Sequence, residues 1–63
     1  MKRKDALTYI FNMDYVRKPV LIEKIGQKYF EEFLALGFIA TGSVGSLYWL
    51  TDNGRVYCLE MFS

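Results

Sequence analysis

The segment that decides the fold runs from Ala35 to Gly54 and reads ALGFIATGSVGSLYWLTDNG. Gly37 can end a helix, because glycine adopts the left-handed conformation without a side-chain clash. Two short runs of strand-forming residues follow, Phe38 to Thr41 and Leu47 to Thr51, and the glycine- and serine-rich residues 42–46 separate them. This pattern predicts a two-stranded antiparallel hairpin.

Three short helices are predicted ahead of the hairpin. Apolar residues recur at the three- and four-residue spacing of a helix with one buried side over Asp5 to Asp14, Pro19 to Ile25 and Gln27 to Leu36. Residues 15–18 form a connector, and Pro19 suits the first turn of a helix. Gly26 inside a helix would cost about 1 kcal/mol relative to alanine, which favours a turn at this position. One continuous helix from Pro19 to Leu36 is the alternative.

A fourth helix is predicted after the hairpin. Thr51 can cap it, because a threonine hydroxyl accepts a hydrogen bond from a backbone N–H group of the first turn. The Asp-Asn-Gly stretch of residues 52–54 is a suitable opening for a helix. The apolar members of Val56 to Met61 would then pack on the core. A third strand over these residues is the alternative, because they also alternate loosely.

Length and composition predict one soluble domain. The chain has 63 residues, of which 52% are hydrophobic and 17% aromatic, and such a composition is typical of a folded chain. We expect a basic amino-terminal arm over residues 1–4 and a domain over residues 5–63. The sequence has neither an apolar stretch of about 18 residues nor a signal-peptide pattern, which predicts a cytoplasmic protein. Cys58 is expected to be a small buried hydrophobe, since no histidine is present to activate its thiol.

Catalysis and cofactor binding are not expected. The chain has no histidine, one cysteine and no paired carboxylates beyond Glu31 and Glu32. It therefore lacks a nucleophile with a neighbouring base, and it lacks the spacing of metal ligands. Its glycines do not form a phosphate loop, because no Lys-Ser or Lys-Thr pair follows them. We predict a protein that is not an enzyme and that holds no cofactor and no metal.

The order of these elements carries a family resemblance. Three short helices, a glycine-tipped hairpin and the aromatic-x-Leu-Thr-x-x-Gly return from Tyr48 to Gly54 resemble the winged helix-turn-helix family. The small size is similar to that of the tiny winged-helix proteins of tailed phages. The resemblance implies an α+β domain of three short helices, a two-stranded wing and a C-terminal helix. An unbroken helix from Pro19 onward, or a sheet of three or more strands, would remove this family assignment together with the contacts that it implies.

The resemblance also implies a dimeric DNA-binding regulator of transcription, with duplex DNA as its partner. Gln27 and Lys28, at the start of the third helix, would then meet base edges. The remaining cations would contact phosphates, where a handful of such side chains gives salt-sensitive affinity. These phosphate contacts are assigned to Arg17, Lys18 and Lys24, and to the Lys2, Arg3 and Lys4 arm.

Two features depart from DNA-binding members of that family. The third helix is short and carries the adjacent carboxylates Glu31 and Glu32, which are unfavourable near phosphate. The tip of the hairpin has no arginine or lysine. In an alternative interpretation, the cations only keep the domain soluble and form ion pairs with nearby glutamates. Those ion pairs would join Lys24 and Lys28 to Glu23, Glu31 or Glu32.

A protein partner is the alternative to DNA. Eleven aromatic residues in so short a chain cannot all point inward, and tyrosine and tryptophan are frequent anchors of protein interfaces. The scaffold would then serve as a phage-type inhibitor of a host protein such as RNA polymerase. The candidate anchors are Tyr29, Tyr48, Trp49 and Phe62. The competing interpretation is that Trp49 belongs to the core and that the tyrosines are ordinary half-buried residues.

Overall fold

Four helices and three strands make up the chain. A computed structural model describes residues 2–42 and 45–62. The elements are α1 (Arg3–Phe11), β1 (Val16–Arg17), α2 (Lys18–Ile25), α3 (Gln27–Leu36), β2 (Ile39–Thr41), β3 (Leu47–Leu50) and α4 (Asp52–Phe62). The α+β class is therefore confirmed. The middle of the predicted hairpin tip, Ser43 and Val44, lies outside the described residues.

The sheet has three strands, and the prediction of a two-stranded wing was wrong. Its order is β1-β3-β2, with both pairs antiparallel. The added strand β1 lies in the predicted connector, where Val16 pairs with Tyr48 and Arg17 with Leu47. Two residues are too few to show the alternation by which a strand is recognised in a sequence. A third strand is also the feature that we counted against the winged-helix assignment.

The first helix begins earlier and ends earlier than predicted. It starts at Arg3 and ends at Phe11, with Asn12 as its C-cap. The Ala6 N–H group donates to the Lys2 carbonyl at 3.0 Å, so helical hydrogen bonding already includes the basic residues. Arg3 and Lys4 thus belong to α1 and are not part of a separate arm. Lysine and arginine are good helix formers, and nothing in the sequence stops the helix before Asp5.

Two glycines define the third helix, as predicted. Gly26 separates α2 from α3 with φ 90°, and Gly37 ends α3 in the left-handed region with φ 76°. Residues with a Cβ atom rarely adopt such positive φ values, whereas glycine adopts them at little energetic cost. The alternative of one continuous helix from Pro19 is therefore wrong.

Thr51 starts α4 and joins it to the end of α3. Its hydroxyl accepts a hydrogen bond from the Gly54 N–H group at 3.1 Å and donates one to the Gly37 carbonyl. The predicted cap is confirmed, and so is the helix over residues 55–61 in preference to a strand. Gly54 is buried against the hairpin: a Cβ atom there would lie 2.5 Å from the Phe38 carbonyl oxygen and 2.7 Å from Leu50 Cδ1.

The core lies between the helices and the sheet. Its buried members come from all seven elements and are Ala6, Leu7, Ile10, Val16, Leu21, Ile25, Phe30, Phe33, Ile39, Tyr48, Leu50 and Cys58. Cys58 is fully buried, as predicted, and burial raises the pKa of its thiol. A raised pKa keeps the thiol protonated and so disfavours the nucleophilic thiolate.

Candidate functional site

Four exposed cations lie along β1, α2 and α3. We call Arg17, Lys18, Lys24 and Lys28 the basic surface; all four side chains are exposed. Arg17 and Lys18 stand where β1 passes directly into α2. The Lys18 N–H group donates to the Ser46 carbonyl at 3.0 Å, which ties the start of α2 to the hairpin.

The four cations of the basic surface form no ion pair with any described residue. Among residues 2–42 and 45–62, the one salt bridge between two described side chains joins Arg3 to Glu32. Lys24 and Lys28 therefore do not form the ion pairs with glutamates that the solubility interpretation expected. Lys18 Nζ instead lies 5.8 Å from the centre of the Phe30 ring, a distance that allows a cation–π contact.

Arg3 and Glu32 connect α1 to α3. Arg3 Nη2 donates to Glu32 Oε1 at 3.1 Å, and Arg3 Nε lies 2.9 Å from Glu32 Oε2. The hydrogen bond to Glu32, together with the negative charge of that carboxylate, raises the pKa of Arg3. The guanidinium group compensates one of the two adjacent carboxylates of α3. Arg3 was expected to contact phosphate, whereas in the structure its guanidinium group contacts the Glu32 carboxylate.

The first turn of α3 holds the two predicted base-contacting residues. Gln27 and Lys28 are both exposed and follow the turn at Gly26. Gln27 Nε2 donates to Glu31 Oε2 at 2.8 Å, one helical turn further on. This bond orients the amide along the helix and leaves its carbonyl oxygen available as an acceptor.

An open groove runs between the start of α2 and the hairpin. It has a volume of about 670 Å³ and is lined by Arg17, Lys18, Pro19, Gly45, Ser46 and Leu47. Arg17 and Lys18 of the basic surface thus line this groove, and the exposed side chain of Leu47 lines it as well. Sequence reasoning missed this groove, because it depends on the hydrogen bond between residues 18 and 46, which lie far apart in the chain.

A second groove is lined by two aromatic side chains, Tyr15 and Trp49. It has a volume of about 630 Å³ and is lined by Met13, Asp14, Tyr15, Trp49, Leu50 and Arg55. The rings of Tyr15 and Trp49 meet edge to face, with centroids 5.9 Å apart. Tyr15 is 63% exposed, whereas Trp49 is half-buried. We call Met13, Tyr15 and Trp49 the aromatic surface.

The candidate protein anchors do not form one surface. Tyr48 is only 7% exposed and packs edge to face on Phe30, so its placement among the exposed anchors was wrong. Tyr29 is half-buried and stacked on Phe33. Phe62 is exposed, but its ring meets the Phe11 ring of α1 edge to face, and it lies on α4 whereas Trp49 lies on β3. Of the four, only Trp49 belongs to the aromatic surface, and the exposed Tyr15 and Met13 were missed.

The described part of the chain holds neither a metal cluster nor a membrane span. Within residues 2–42 and 45–62, no group of three or more His, Cys, Asp and Glu side chains is placed to bind a metal ion. No helix in these ranges has the length and apolar character needed to cross a bilayer.

Comparison with known proteins returned no match. No protein-family model, no curated protein and no solved structure matches the chain. We therefore infer function from the chain's own residues and their geometry.

Proposed function

We propose that the protein is a small, non-enzymatic winged-helix regulator of transcription that binds duplex DNA. The observation that carries this proposal is the basic surface, four exposed cations without a carboxylate partner on consecutive elements. Such cations release counterions from DNA when they meet phosphates, which gives affinity even to a chain with a net charge of only +1.

Different elements of the domain contact different parts of the DNA. Gln27 and Lys28 on α3 meet base edges in the major groove, and Arg17, Lys18 and Lys24 hold phosphates. The short strand β1 supports this arrangement, because pairing of Arg17 with Leu47 fixes the arginine beside the hairpin. The third strand extends the hairpin at one edge and leaves the predicted order of helices and hairpin unchanged. The two-stranded criterion for the family is therefore not met, and what we propose is a winged helix whose wing carries the two-residue strand β1 at its edge.

The carboxylates of α3 are less of an obstacle than their sequence positions indicate. Glu32 is half-buried and paired with Arg3, so its charge is compensated. Glu31 accepts a hydrogen bond from Gln27. Arg3 thus favours DNA binding by neutralising Glu32, while Lys2 and Lys4 are exposed and follow the phosphate backbone.

The salt dependence of DNA binding tests this proposal. We expect Arg17→Ala to weaken binding to every duplex alike and to lower the slope of log affinity against log salt by about 0.9, the contribution of one phosphate contact. Fluorescence anisotropy with two unrelated duplexes over a salt series measures both quantities.

Arg55→Ala is the matched control. Arg55 is also an exposed arginine, but it lies on α4 with its guanidinium 5.5 Å from the Phe11 ring centre. This variant lowers the net charge equally and should leave the slope unchanged. If the folded protein binds no duplex at low salt, or if both variants change the slope equally, the proposed DNA surface is wrong.

A second candidate function rests on the aromatic surface. An exposed tyrosine that packs on a half-buried tryptophan, with an arginine beside them, is a typical composition of protein-binding hot spots. The protein would then act as a phage-type inhibitor that holds a host protein such as RNA polymerase. Tyr15 is the residue to change, because its exposure makes the fold insensitive to its loss.

We expect Tyr15→Ala to abolish capture of such a partner while the far-ultraviolet circular dichroism stays unchanged. Pull-down with purified RNA polymerase, quantified against the wild-type protein, measures the loss. Tyr9→Ala is the control for the loss of a tyrosine elsewhere, because Tyr9 lies on α1, is half-buried and does not line the groove. Capture that survives Tyr15→Ala would exclude the aromatic surface as the binding site.

A further inference from the structure

The sheet has one face that points away from the core. The buried members of its strands are Val16, Ile39, Tyr48 and Leu50. Because successive side chains of a strand point to opposite faces, the other residues of the strands lie on the far face. Tyr15 joins them, since it directly precedes Val16 and its ring contacts Trp49. We call this exposed or half-buried set the outer sheet face; it consists of Tyr15, Arg17, Ala40, Leu47 and Trp49.

Two rows of side chains cross the outer sheet face between β1 and β3. Arg17 is paired with Leu47 in one row, and Tyr15 meets Trp49 edge to face in the other. The rows are two residues apart along each strand, which is about 6.6 Å. The Arg17 row lines the groove of about 670 Å³, and the Tyr15 row lines the groove of about 630 Å³. The two grooves therefore adjoin along one face of the sheet.

The charges along this face are unevenly distributed. Asp14 and Arg55 line the aromatic groove and offset each other, whereas Arg17 and Lys18 are the two charged residues that line the adjoining groove. Neither Arg17 nor Lys18 has a carboxylate partner among the described residues. A ligand that matches both grooves has a flat ring next to an anion, and each nucleotide of a nucleic acid carries these two groups.

We propose that the outer sheet face binds unpaired nucleotides of single-stranded DNA or RNA, with a base stacked on Tyr15 and the adjacent phosphates on Arg17 and Lys18. Aromatic rings beside a positively charged groove bind single strands with little sequence preference, since every base has a face that can stack. The Tyr15 ring is 63% exposed and so has a free face. Trp49 is half-buried, and its ring would lie 3.6 Å from a Cβ atom at Gly42, so it supports Tyr15 from the side of the sheet.

This site differs from the proposed duplex contacts on α3. The bases of a duplex are paired and stacked on one another, so they are not free to lie on Tyr15. A single strand shares the phosphate contacts of Arg17 and Lys18 with the duplex, but it adds the Tyr15 ring and does not need Gln27. A polyanion also fits this face better than a folded protein does, because two adjacent cations are costly to bury unless each meets an anion.

Binding of single strands tests the proposal, and Trp49 reports on it as the one tryptophan of the chain. We expect single-stranded oligothymidylate and oligouridylate to bind at low salt and to change the Trp49 fluorescence, and the tighter of the two identifies the class of strand. Tyr15→Ala should lower the affinity for both strands at least about fivefold, the contribution of one stacked base, and leave the duplex affinity unchanged. Tyr15→Phe keeps the ring and should bind as the wild type does.

Two controls separate stacking from charge. Phe62→Ala removes an aromatic residue that is also exposed but lies on α4, and it should bind oligothymidylate as the wild type does. An abasic oligomer of the same length has the phosphates without the bases, so its affinity should be lower and insensitive to Tyr15→Ala.

Three results would overturn the proposal. One is equal affinity for the oligothymidylate and the abasic strand, and another is a folded Tyr15→Ala variant that keeps full affinity for oligothymidylate. The third is a wild-type protein that binds no oligothymidylate but captures RNA polymerase or phosphatidylglycerol vesicles through Tyr15. A protein that binds oligothymidylate in a Tyr15-dependent way and binds no duplex would support this site and contradict the proposed duplex function alone.

Discussion

Replacing Gly54 by alanine should destabilise the domain by about 2 kcal/mol, although alanine is the better helix former by about 1 kcal/mol. The added Cβ atom would lie 2.5 Å from the Phe38 carbonyl oxygen and 2.7 Å from Leu50 Cδ1. The Phe38 carbonyl cannot move away freely, because it accepts a hydrogen bond from the Thr51 N–H group at 2.8 Å. A domain of this length has a total stability of about 3–9 kcal/mol, so the loss is a large fraction.

Gly42→Ala is the control for this substitution. A Cβ atom at Gly42 would meet the Trp49 ring at 3.6 Å, an ordinary contact, and Gly42 does not have a positive φ. Urea denaturation of the two variants gives the free energies of unfolding. A Gly54→Ala protein as stable as Gly42→Ala would mean that α4 is not held against the hairpin as described.

The second large effect is expected at Tyr48. Tyr48→Ala should cost about 3 kcal/mol, because it removes a ring from the middle strand of the sheet and leaves a cavity beside Phe30. The two rings meet edge to face with centroids 5.1 Å apart. Denaturation monitored by circular dichroism measures the loss of stability.

Two further variants test whether the effect of Tyr48→Ala comes from the loss of a buried ring. Tyr48→Phe keeps the ring and should remain close to the wild type in stability. Tyr15→Ala, which removes a ring that is 63% exposed, should change stability by less than about 0.5 kcal/mol. If Tyr48→Ala were as mild as Tyr15→Ala, Tyr48 would be a surface residue after all.

The local parts of the fold could be predicted because single residues determine them. Gly26 and Gly37 adopt positive φ values that few other residues tolerate, and the hydroxyl of Thr51 caps a helix by its own chemistry. The strand β1 could not be predicted, since it exists only through pairing with residues 47 and 48, about thirty positions further along the chain. In β3 the pattern placed Tyr48 and Trp49 on opposite faces, but two aromatic neighbours do not reveal which face is buried.

The candidate site also has parts that the sequence predicts and parts that it does not. The exposed positions of Arg17, Lys18, Lys24 and Lys28 follow from the polar side of the predicted helices and from the connector. The role of Arg3 does not, because its partner Glu32 is 29 positions away in the sequence and becomes a neighbour of the first residue of α1 only in the folded domain. The aromatic surface likewise depends on a contact between distant parts of the chain, because Tyr15 meets Trp49 only once β1 has paired with β3.

The hydroxyl group of Thr51 links two helices through one atom, since it bonds to Gly37, the C-cap of α3, and to Gly54 in the first turn of α4. A movement of Thr51 out of this junction breaks both bonds. Local opening at this junction therefore costs two hydrogen bonds, and we expect its amides to exchange with solvent more slowly than those of the other helix ends. In a domain with so small an interior, such a junction favours cooperative, all-or-none melting over stepwise loss of its parts.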